Sequence, residues 1–88
     1  MTESALSNRT ARVLGAHLDR LATTLERGAV APSAAARLLD SATAATTHAV
    51  TLELLTASSA GELWREAAER HPGAARLRPA AARFAPGL

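Results

Sequence analysis

From Pro32 to about Ala57 the chain reads PSAAARLLDSATAATTHAVTLELLTA, with no Gly or Pro after its first residue. So long a run without a breaker, its apolar residues recurring at alternating spacings of three and four, is the pattern of an α-helix and of no other regular structure. Pro32 suits a first helical position, where its missing N–H would have had no partner. Leu38, Ala42, Ala45, Ala49, Leu52 and Thr56 fall on one stripe, and Leu39, Val50, Leu54 and Ala57 on a narrower second one. Arg37, Asp40, Thr47 and Thr51 face water. Apolar residues on two sides require two neighbours. One is the preceding helix; the other is a third helix, a second copy of the chain or a different protein. Thr43, Thr46, Thr47 and Thr51 are mildly unfavourable in an isolated helix, so this one is expected to depend on packing.

The preceding segment reads as a first helix from about Ser4 to Arg27, capped by Ser4 or Ser7. Ser7, Ala11, Leu14, Leu18, Leu21 and Leu25 form its seam, flanked by Leu6, Val13 and His17. Gly15 weakens the interior, and close helix approach is one reason for it. Gly28 is a C-terminal stop. The link to Pro32 is short enough to make the two helices an antiparallel hairpin about 35 Å long. Leu25 should then face Ala34, Ala35 or Leu38, and Leu14 should lie near Ala45 or Ala49. Ser58-Ser59-Ala60-Gly61 interrupts the pattern, and Ser59 with Glu62 has the form of a capping box. A third helix follows to about Arg70, with Ala60, Leu63, Trp64, Ala67, Ala68 and His71 on one face. Pro72-Gly73 ends it. In the remainder Pro79 can open one short turn to about Phe84 before Pro86-Gly87, and Leu77 and Phe84 either dock or stay mobile. The expected organisation is all-α: an antiparallel hairpin plus a shorter third helix over residues 1–71, then a Pro-punctuated basic tail over 72–88.

With 88 residues there is one domain at most. Hydrophobic residues make up 48% of the chain, but Ala dominates them, there is no Tyr, and Trp and Phe occur once each. Such a core is small, and without Cys no disulfide can reinforce it. Association is the remaining common remedy, which makes a homodimeric bundle with the second helix at its centre the expectation. Every strong base is Arg, which together with the Ala excess reads as a GC-rich, bacterial coding sequence. The N-terminal stretch MTESALSNRTARVLG has neither a signal-peptide nor a membrane-anchor pattern, so a cytoplasmic location is expected.

Catalysis finds little support. His17, His48 and His71 lack the spacing of a zinc site. Glu62, Glu66 and Glu69 read as a solvated helix face, and Asp19, Asp40 and Glu53 stand apart from one another. No Ser or Thr sits in a defensible arrangement with His and an acid, and there is no phosphate loop. The expectation is no enzyme, no cofactor and no metal.

Two classes of binding function remain. The first is a small protein–protein interaction module (adaptor, regulator or accessory subunit) acting through helix faces, with Leu39, Val50, Leu54 and Trp64 as the candidate interface. Trp is common where binding energy concentrates, although a single Trp among Ala at helical spacing reads first as core. The second is a nucleic-acid-associated regulator, in which Arg76, Arg78 and Arg83 contact phosphates, or alternatively an acidic protein partner. Pro79 follows too closely after the HPG turn for a recognition helix.

Overall fold

The computed structural model of the protein describes residues 2–28 and 30–86, with side chains from Asn8 onward. It is all-helical over those residues: α1 (Thr2–Arg27), α2 (Pro32–Thr51), α3 (Ala57–Arg70) and α4 (Leu77–Ala81). α1 begins before Ser4. The capping expected of Ser4 or Ser7 concerns side chains outside the described residues, as do Ser7 of the seam, Leu6 of its flank, Ala29 of the link and the Gly87 stop. Gly28 ends α1 at φ +66, the left-handed conformation that glycine adopts at least cost. Pro32 opens α2 as expected.

The second helix is shorter than its sequence pattern. It stops at Thr51, six residues before Ala57. The stop is a complete Schellman turn: Glu53 N–H donates to Val50 O at 3.0 Å and Leu54 N–H to Ala49 O at 2.9 Å. Glu53 occupies the position usually given to glycine, at φ +59. The turn lets Leu55 enter the core at 4% exposure and starts α3 at once. The cap of α3 is Thr56, whose Oγ1 accepts from Ser59 N–H at 3.0 Å. Ser58 to Gly61, expected as a break, is therefore the first turn of α3.

α1 packs most extensively against α3, and less so against α2, so within one chain α2 is not the most extensively packed helix. The α1 seam is inward as expected at Leu14, Leu18 and Leu21, joined by Ala22. α3 contributes Ala60, Gly61, Trp64, Ala67 and Ala68. α2 buries fully only Ala35, Ala42 and Thr46. Of its expected main stripe, Leu38 remains 39% exposed and Leu52 63% exposed. The reason is rotation: the inward line of α2 passes through Thr46 rather than Ala45.

Trp64 is why Thr46 is inside. Its Nε1–H donates to Thr46 Oγ1 at 2.9 Å, and both side chains are fully buried. Thr46 in turn donates to Ala42 O at 2.8 Å. Thr43 and Thr47 make the same backward bond, to Leu39 O and Thr43 O. Thr43, Thr46 and Thr47 thus satisfy their hydroxyls within α2.

The segment beyond residue 71 shares this core. Ala74, Leu77 and Ala81 are buried in one cluster with Leu18 and Trp64. α4 starts at Leu77, ahead of Pro79, which stands within its first turn, where its missing N–H costs nothing. Phe84 stacks on Trp64 with ring centroids 5.3 Å apart. Its backbone lies so close to α3 that a Cβ at position 61 would overlap the Phe84 carbonyl oxygen and sit 3.2 Å from its carbon, which is why Gly61 is glycine. At Gly15 a Cβ would meet only Leu63 Cδ2 at 3.5 Å, an ordinary contact, so close approach does not account for that glycine. The Cα radius of gyration is 12.7 Å, near the value of about 12 Å for a closed domain of this length.

Candidate functional site

The expected interface residues are largely turned inward. Leu39 and Val50 are half-buried and pack against the core cluster. Leu54 is also half-buried, as part of the turn that ends α2. Trp64 has no exposed surface at all, so it is a core residue and presents nothing to a partner. Of the tail arginines, Arg76 donates to Pro32 O at 3.2 Å, tying the segment after α3 to the start of α2. Arg76 and Arg83 line a shallow groove of about 240 Å³ between α2 and α4, which also contains Asp40. Arg78 is exposed and lies outside it.

A polar cluster that spacing alone does not reveal joins the end of α3 to α1. Arg70 reaches Asp19 at 2.9 Å. His71 lies with Nδ1 3.0 Å from Glu26 Oε1 and Nε2 3.5 Å from Asp19 Oδ1. Gly73 N–H donates to Glu26 Oε2 at 3.3 Å. The Glu26 carboxyl is held below its ordinary value of 4.5, chiefly by the His71 hydrogen bond and further by the Gly73 N–H and the His71 charge, while desolvation acts the other way. Asp19 is thus not the isolated acid of the sequence reading; its partners lie about fifty positions away, beyond any local motif. The HPG turn is clasped onto α1 by these contacts. Among the described residues no group of three or more His, Asp or Glu side chains is arranged to hold a metal ion.

Among the described residues three large apolar side chains stay in water. Val13 on α1 is 63% exposed, as is Leu52 at the end of α2, and Leu38 is 39% exposed. Between α1 and α2 runs an open groove of about 550 Å³. Leu14, Ala45 and Ala49 line it together. That juxtaposition agrees with the expected hairpin register. Leu25 and Ala35 likewise share a smaller hollow of about 200 Å³ near the hairpin link. On α2, Leu38, Ser41, Ala45, Ala49 and Leu52 follow one another at three- and four-residue steps, so the exposed leucines continue the line of the groove at both ends.

Comparison with family models, curated proteins and solved structures finds no match for this chain.

The chemistry open to this surface follows from its make-up. Among the described residues no helix is long and apolar enough to cross a membrane. An exposed line of aliphatic side chains beside a groove floored by Ala admits the close approach of another helix. The sequence reading placed Val13 only on a flank and counted Leu38, Ala45 and Leu52 as core. The available signal was the second stripe of α2: two stripes with only one covered by the chain itself implies that one is left over, and it is the other one that remains.

Proposed function

We propose that the chain is a small, cytoplasmic, non-catalytic protein–protein interaction module, an adaptor, regulator or accessory subunit, that works by packing an apolar helix face against a partner. The observation that carries this reading is the exposure of Val13 in the α1/α2 groove and of Leu38 and Leu52 on the α2 stripe that continues it. In a chain this poor in large aliphatic side chains, keeping three of them in water forgoes about 1.5–3 kcal/mol of burial for each one that could have been fully covered. A partner that covers them recovers that burial. A homodimer, the assembly expected from the small core, is one form this association takes.

The test is the double variant Val13→Glu/Leu52→Glu, followed by light scattering of the chain alone and by co-purification with its native complexes. The variant is expected to lose association while keeping parental helicity and Trp64 emission. Retained association would refute the surface. A collapse of folding would show that these side chains are structural.

The alternative, a nucleic-acid-associated regulator using Arg76, Arg78 and Arg83, draws on the common groove of Arg76 and Arg83. It is weakened by Asp40 in that groove and by the engagement of Arg76 with Pro32 O. Binding of duplex or single-stranded probes that falls steeply with salt, and is abolished by replacing the three arginines, would favour it.

A further inference from the structure

The charge around the α1/α2 groove narrows the partner, on the footing of the interaction-module reading above. Its floor is Val13, Leu14, Ala45 and Ala49; the ionisable side chains along it are Arg9, Arg20 and His17, and among the described residues no carboxylate lines it. Of the acids of α1 whose side chains are described, Asp19 is engaged with Arg70, and Glu26 with His71 and the Gly73 N–H. The exposed acids of α3, Glu62, Glu66 and Glu69, do not reach it. An apolar trough with a basic rim is complementary to an apolar stripe with acidic flanks.

Shape decides between kinds of occupant. Drug-sized ligands are held in concavities that cover most of their surface, whereas this trough is open along its length. From Arg9 to Arg20 it extends about 16 Å, or three helical turns, at 1.5 Å per residue. A second copy of the chain would bring the same Arg9 and Arg20 rim against the first, with like charges opposed. We infer that the groove receives an amphipathic α-helix of another protein, about three turns long, whose apolar stripe is bordered by Asp or Glu.

The probe is a labelled helical peptide of about fifteen residues with Leu at i, i+3, i+4 and i+7 on an Ala/Glu background, beside a twin with Lys for Glu. Fluorescence anisotropy against the full chain reads binding. The Glu peptide is expected to bind about tenfold more tightly than the Lys twin, an advantage that shrinks with added salt. Arg9→Glu/Arg20→Glu should invert the preference. Ala45→Phe, which fills the floor, should remove binding of both peptides with helicity unchanged. Equal binding of the twins, a preference indifferent to the charge reversal, or failure of both peptides to bind would overturn the inference. A dimer dissolved by Ala45→Phe would also overturn it, by seating a second copy in the groove, and would leave the interaction-module reading intact. That broader reading fails separately, if Val13→Glu/Leu52→Glu leaves native association unchanged.

Discussion

Replacing Thr46 by Val keeps the β-branched shape, the side-chain volume and the rotamer restriction of the native residue within a helix, but deletes the only oxygen that receives the Trp64 indole N–H. The bond is 2.9 Å long between two fully buried side chains. Among the described residues no buried side-chain polar atom lacks a partner, so none stands idle to take its place. Orphaning a buried N–H costs about 1–3 kcal/mol, while the new methyl recovers about 0.8 kcal/mol of burial. Ala42 O, the second partner of the hydroxyl, is a helical carbonyl and keeps its backbone bond. The net loss is about 0.2–2 kcal/mol, which lowers Tm by roughly 1–15 °C for a chain of this size. Thermal melts and urea titrations followed by the single Trp provide the measurement. Thr46→Ser restores the oxygen and should keep the parental indole environment despite losing a methyl. A Thr46→Val protein at least as stable as the parent, with unchanged indole emission, would refute the reasoning, because the indole would then be satisfied by something other than Thr46.

Four further outcomes are expected. Gly61→Ala forces the Phe84 carbonyl away from α3 and should cost about 1–3 kcal/mol, with red-shifted Trp64 emission as the C-terminal segment lifts. Gly15→Ala meets only an ordinary contact with Leu63 and should stabilise by up to about 1 kcal/mol in urea titrations. Glu53→Gly relieves the left-handed position at the end of α2 and should raise stability by roughly 0.5–1 kcal/mol, whereas Glu53→Val should lower it. Because the Glu26 pKa is lowered by folding, its contribution is present above the ordinary value of 4.5 and is lost as pH falls through the lowered one; Glu26→Gln should lower the neutral plateau of a stability–pH profile slightly and leave the acid end nearly unchanged, flattening the profile between them.

Much of the fold is legible in the residues themselves, because leucines differ enough from their neighbours to set the phase of a helix. The α1 seam through Leu14, Leu18 and Leu21 and the α3 face around Trp64 are correctly oriented by spacing alone. In α2 the middle is Ala and Thr, residues of similar size and weak preference, so periodicity cannot tell which line turns inward. The answer lies in one tertiary hydrogen bond, from an indole eighteen positions away. The end of α2 is equally silent, since a Schellman turn closed by Glu rather than Gly leaves no compositional mark. The candidate interface inherits both errors: Leu39 and Val50 turn towards the core, while Leu38 and Leu52 stay in water. The segment after Pro72 reads as punctuation because prolines dominate its appearance, yet Leu77 and Ala81 are as deeply buried as any residue of α1.

The stacking of Phe84 on Trp64 also sets an order of events during synthesis. Trp64 leaves the ribosome twenty positions ahead of the ring that covers it, a delay of about one to four seconds at the usual pace of elongation. For that interval the three longer helices can gather, but one side of the indole is still wet. The segment around Phe84 therefore acts as a latch, and a nascent product halted before it would display a greasy aromatic surface to whatever chaperone or protease is nearest.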